Sequence, residues 1–170
     1  MMNVTLAQLF SLWIRRSMPM ALVAMLAVIS VFSIKIPGWA SVVPDYTSMA
    51  IFYWAVFRPD LQPVLLLFMI GLLKDIITGN PLGLTAISLL LLHGLALSQQ
   101  RFLVTKPFLF ICFAFMLIQL PISILSWLMM SVLHFCLIAP DPVMYQYLIT
   151  VFSFPIMMWF LFHLHCYVIR

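Results

Sequence analysis

Few residues in this chain could do chemistry, and their spacing limits which chemistry. The acidic residues are Asp45, Asp60, Asp75 and Asp141, with no Glu, and the histidines are His93, His134, His163 and His165. Proteolysis by paired carboxylates needs two Asp facing each other at one depth, and only Asp75 stands inside an apolar stretch. A serine nucleophile needs a base within hydrogen-bond reach. Ser88 and His93 stand five apart on one predicted helix, an offset that turns them roughly 140° apart. His163 and Cys166 share a helix face, but His165 points elsewhere, which is a poor start for a metal site. Cys112, Cys136 and Cys166 are odd in number and fall at different depths, so they read as small apolar packing groups and not as a bridge. Catalysis is therefore a minor reading, and no cofactor is expected.

The elements that must hold these residues follow from composition. Of 170 residues, 66% are apolar and 7% charged, and mean hydropathy is +1.21. Soluble domains run near half apolar and about a quarter charged. A water-facing surface cannot be dressed from this set, and disorder needs the opposite balance. The apolar runs are continuous and do not alternate over ~10-residue segments, which favours helices over a β-barrel. The fold class is all-α: a polytopic membrane bundle of about six transmembrane helices, using ~20 residues each. Charge, Pro and Gly place the spans near 18–36, 44–57, 61–77, 81–97, 107–135 and 144–169. Residues 18–170 then form one domain. Residues 1–17 form an N-terminal segment whose Leu6, Leu9, Phe10 and Trp13 share a face, either an amphipathic surface helix or an extension of span one. The Arg15-Arg16 pair and Gly38-Trp39-Ala40 imitate a signal peptide, but the apolar stretch between is longer than a typical h-region, so span one reads as uncleaved.

Cytoplasmic termini put Arg15, Arg16, Arg58, Arg101, Lys106 and Arg170 inside and only Lys35 and Lys74 outside, a clear positive-inside bias. The net charge of +4 then belongs to inner-leaflet contact and not to nucleic acid.

The densest polar grammar lies at the predicted outer turn between spans three and four, from Gly71 to Ala86. Gly71 and Asp75 share a helix face, so Gly71 lets another backbone approach beneath the carboxylate. Gly79 suits a helix end with positive φ. Asn80 can N-cap span four, with Pro81 in its first turn and Gly83 closing the hairpin. A charged Asp75 at this depth needs a partner. The positive end of span four is one candidate and an outside cation such as Lys35 another, while Lys74 is expected to snorkel away. Two roles stay open for Asp75: closing the hairpin, or meeting a partner or ligand.

At the opposite turn, Arg58 marks the cytoplasmic face and Asp60 can cap span three. His93 reads as an interhelical hydrogen-bond partner. Gln119, Ser123, Ser126, Met130 and His134 form one stripe on span five, and Gln146, Thr150 and Ser153 another on span six. Facing stripes read chiefly as interhelical contacts of ~0.6 kcal/mol each, with a small-molecule pocket as the lesser reading. Pro121 and Pro155 are candidate kinks.

The segments Phe57-Arg58-Pro59-Asp60-Leu61, Gly71-Leu72-Leu73-Lys74-Asp75 and Gly79-Asn80-Pro81-Leu82-Gly83-Leu84-Thr85-Ala86 closely resemble the MreD family of rod shape-determining proteins. The sharp likeness covers about thirty residues, and elsewhere size and hydropathy match. The resemblance implies a non-enzymatic component of the bacterial cell-elongation complex in the inner membrane. Its implied partners are an MreC-like bitopic protein, the actin-like MreB filament and the peptidoglycan synthases of lateral wall growth. It also implies a fold similar to the substrate-binding subunits of energy-coupling-factor transporters. By position the family signature falls on Asp75 and the Gly79–Gly83 turn, with Gly71, Asn80, Pro81, Arg58 and Asp60 beside it. The alternative, a vitamin-type transporter subunit, is weakened because no two Ala stand four apart.

Overall fold

The computed structural model describes residues 21–30, 43–133 and 140–168, with side chains to 164, and the regular structure in them is helical. The elements are α1 (Ala21–Ser30), α2 (Tyr46–Phe57), a 3₁₀ turn (Pro59–Leu61), α3 (Val64–Thr78), α4 (Leu84–Leu103), α5 (Phe108–Leu133) and α6 (Asp141–Val168). The segment 1–17, Lys35, His134 and Cys136 lie outside the described residues, as do the side chains of His165 and Cys166.

Every residue of α2 from Thr47 to Val56 is buried. A helix that is apolar all round and covered all round is a core helix. At about 1.5 Å per residue α2 is ~18 Å long, well short of a ~30 Å hydrocarbon slab. It packs against α4 and α6; α3 lies on α4, α4 on α5 and α5 on α6. Three rings lock the centre. Phe52 of α2 meets Phe115 of α5 and Phe154 of α6 edge-on, with centroids 5.2 and 5.7 Å apart. Phe115 and Phe154 stack at 4.0 Å.

The outer helices are built the other way. On α5, Ile111, Phe115, Gln119 and Ile122 are buried at helical spacing. Leu109, Phe113, Leu117, Ile124 and Leu128 are exposed, a surface that suits lipid and not water. The helices α5 and α6 have 26 and 28 residues, or about 39 and 42 Å.

The predicted spans two to four are short and five and six long, and the helices follow that order: α5 and α6 are the longest. Among the described residues only α5 and α6 are both long and apolar enough to cross a bilayer by themselves. Hydropathy also ends span four too early. The polar run Ser98-Gln99-Gln100-Arg101 ends the apolar stretch, but the backbone stays helical to Leu103, four residues before Pro107. Asp60 does not cap α3: Pro59 starts a 3₁₀ turn that takes up Asp60, and Pro63 is the residue that precedes the helix. His93 does join two elements, with Nδ1 3.1 Å from Oε1 of buried Gln62.

The Phe115→Ala substitution removes the ring that α5 shares with α2 and α6. It is expected to lower stability by about 3 kcal/mol, read as a fall in thermal midpoint of the purified protein. Phe113→Ala, on the exposed face of the same helix, serves as the control and should change little.

Candidate functional site

The α3–α4 connection is a folded device made by the segment from Gly71 to Ala86. Helix α3 ends at Thr78, and Gly79 takes φ 71°, as expected for a helix terminator. Both Gly79 and Asn80 donate their N–H groups to the carbonyl of Asp75. Gly83, at φ 97°, turns the chain into α4. Both φ values lie where a Cβ is disfavoured.

Asp75 is fully buried. Its Oδ2 accepts the Gly83 N–H at 2.9 Å, and its Oδ1 accepts the Thr85 N–H at 3.0 Å. The first N–H groups of a helix lack intrahelical partners and carry partial positive charge. The carboxylate of α3 therefore caps α4 from outside. The expected Asn80 cap is corrected: α4 begins at Leu84, with Gly83 before it, and Asn80 is occupied in ending α3. Pro81 likewise lies in the turn ahead of the helix, where its carbonyl accepts the Leu84 N–H at 3.2 Å.

One turn below, Gly71 explains how the carboxylate comes so close. A Cβ added there would lie 2.9 Å from both the Cβ and the N of Ala86 and closer still to its Cα. The two backbones touch, as the sequence suggests.

Lys74 departs from expectation. It does not point away: its Nζ is 2.6 Å from Asp45 Oδ1, at the start of α2, with the two side chains 13% and 20% exposed. The Asp45 N–H donates to Thr150 Oγ1 of α6 at 3.1 Å. A charged pair in a shielded place ties α3, the head of α2 and α6 together. The signal in the sequence is the scarcity of charge: a Lys and an Asp at the same end of an apolar bundle have few other partners.

This pair forms part of the wall of a cavity of about 310 Å³ that is also lined by α1 through Ser30, α3 through Thr78, and α2, α4, α5 and α6. Gln119, Ser123, Ser126 and Met130 line it from α5, and Gln146 and Thr150 from α6. Ser153 is not among its walls. The stripes border a shared space, and two of their members also act as the expected interhelical contacts. Thr150 of α6 accepts the Asp45 N–H at the head of α2, and Ser126 of α5 pairs with Ser88 of α4 at 3.0 Å. That pairing also places Ser88 away from His93, which is held by Gln62. Arg58 and Asp60 are exposed at the other end of α3 and do not join the hairpin. Among the described residues no group of three His, Cys or Asp side chains could hold a metal ion.

Removal of the cap tests this geometry. Asp75→Ala leaves two shielded N–H groups unmatched and should cost about 1–3 kcal/mol, with Asp75→Asn intermediate because one acceptor survives. Gly71→Ala should lower the thermal midpoint by forcing α3 and α4 apart. Gly94→Ala, where an added Cβ meets nothing within 4 Å, should leave it unchanged or raise it.

Comparison with known proteins supplies the remaining observation. No curated protein and no solved structure matches this chain. The family model described as rod shape-determining protein MreD matches residues 2–168, nearly the whole length. That span takes in the Asp75 hairpin, the enclosed α2 and both long apolar helices. The chain belongs to the MreD family, membrane proteins of rod-shape determination.

Proposed function

We propose that this chain is a non-enzymatic assembly subunit of the bacterial cell-elongation complex. In this reading it sits as a multi-pass protein in the inner membrane with both termini in the cytoplasm. It binds an MreC-like bitopic protein and so helps to organise the peptidoglycan synthases and the MreB filament during lateral wall growth. The family match over residues 2–168 carries the reading. The hairpin supports it: both oxygens of Asp75 are engaged by backbone N–H groups, so the motif offers a fixed shape in place of a reactive group. Asp75 then serves partner binding by holding the α3–α4 hairpin and not by touching the partner.

The orientation follows from the positive-inside bias and puts the α3–α4 turn on the periplasmic side. The likeness to the substrate-binding subunits of energy-coupling-factor transporters remains part of this proposal and rests on the resemblance alone.

Loss of the gene in a rod-shaped host should give round cells, restored by the wild-type chain; rods that persist would count against the role. Asp75→Ala should recover less MreC in co-purification, and full recovery would detach the hairpin from that interface. For the orientation, a Cys placed at the exposed Leu82, in a background without native Cys, should react with an impermeant maleimide in intact spheroplasts. A Cys at Asp60 should react only after lysis, and the reverse pattern would invert the topology.

A further inference from the structure

The two flanks of the bundle show lipid apolar faces of unequal height. On α3 the exposed apolar residues run through Leu65, Met69, Leu73 and Ile76. That helix has 15 residues, or ~22 Å. Beyond it come the exposed Thr78 and Gly79. On α4 the exposed apolar run goes from Ile87 through Leu91 and Leu95 to Leu97, and exposed Ser98, Gln99 and Arg101 follow. Counted from its start at Leu84, this face is ~21 Å high. Gly71 against Ala86 sets the two helices side by side, so the pair acts as one short wall.

Helix α5 differs. Its exposed apolar residues extend from Leu109 through Phe113, Leu117 and Leu128 to Val132, within 26 residues, or ~39 Å. The Ser88–Ser126 contact at 3.0 Å fixes its level against α4. Ten residues towards the α4–α5 turn, the level of Ser98 on α4 is that of Met116 on α5. From there α5 stays apolar for about 12 Å more, to Phe108. Phe102, the next exposed ring on α4, packs on Phe110 of α5, with centroids 5.4 Å apart, and so belongs to the taller side.

A hydrocarbon slab is ~30 Å thick. An apolar face shorter than this is met by thinning of the bilayer, by snorkelling or by oligomerisation. Snorkelling is denied to the hairpin end of the wall, because Lys74 is held by Asp45 at 2.6 Å. We propose that the α3–α4 wall thins the bilayer beside it and selects phospholipids with short acyl chains, while the α5 flank keeps full thickness. The activity is a local step in membrane thickness. It goes beyond the assembly role and does not depend on it.

The test uses the full chain, without native Cys, in dioleoyl phosphatidylcholine vesicles. Nitroxides are placed singly at Leu65 and Ile76 on α3, ~16 Å apart, and at Phe113 and Leu128 on α5, ~22 Å apart. Their depths follow from access to oxygen and to a water-soluble nickel chelate. The two depths plus the separation give the local hydrocarbon thickness. It should be about 22 Å at α3 and about 30 Å or more at α5. Thr78→Leu, Ser98→Leu and Gln99→Leu together lengthen the wall at exposed positions and should thicken the α3 flank by about 4 Å. A thickness of about 30 Å at both helices would overturn the proposal, as would no change in the lengthened variant. Loss of oxygen access at Leu65 and Ile76 would show a second copy seated on the wall in place of lipid, and would overturn it too.

Discussion

The carboxylate of Asp75 against the first turn of α4 is the contact on which the arrangement of α3 and α4 depends. It joins two features that are each unfavourable alone. A buried acidic group lacks water, and a buried helix start lacks acceptors for its N–H groups. Placed together they satisfy one another, with bonds of 2.9 and 3.0 Å to Gly83 and Thr85. The match requires the two helices to approach more closely than side chains permit, and Gly71 against Ala86 provides that approach. Gly79 and Gly83 then reverse the chain within the few residues left. The pieces are mutually dependent, which is why the polar residues of an otherwise apolar chain concentrate in this segment.

A second tie acts at the same end. The Lys74–Asp45 pair and the Asp45–Thr150 bond attach the head of α2 to α3 and α6. The aromatic cluster of Phe52, Phe115 and Phe154 holds the middle, and His93 with Gln62 holds the far end. In lipid the helices gain little from hiding apolar surface, since the surroundings are equally apolar. Close packing of rings and a few shielded polar contacts must hold them together, and these are the contacts found between the buried faces.

Much of the hairpin can be read without coordinates. Gly79 as a terminator, Gly71 as a point of close approach and the start of α4 as a partner for Asp75 all follow from local stereochemistry. The cap itself belongs to Asp75 and not to Asn80, because a local rule cannot see a carboxylate returning from the preceding helix. The Lys74–Asp45 pair is a contact between residues far apart in the chain, and its reading needs the helices to be placed first. Burial is the least legible property. A helix enclosed by protein and a helix facing lipid are both made of apolar residues, so α2 reads as one more span. The polar stripes on α5 and α6 are legible in part, but whether they touch or stand apart depends on where α2 begins.

That starting point has an electrical consequence. Asp45, at the head of α2, lies level with Thr150, nine residues into α6, so α6 rises about 13 Å above it. At the centre of the bundle a cavity walled by both polar and apolar side chains adjoins the short core helix α2. For a membrane protein whose central cavity held water, the insulating path along its axis would be about 18 Å, against ~30 Å at the lipid-facing rim. A voltage across the bilayer would then fall most steeply through α2, with the Lys74–Asp45 pair at one end of that drop.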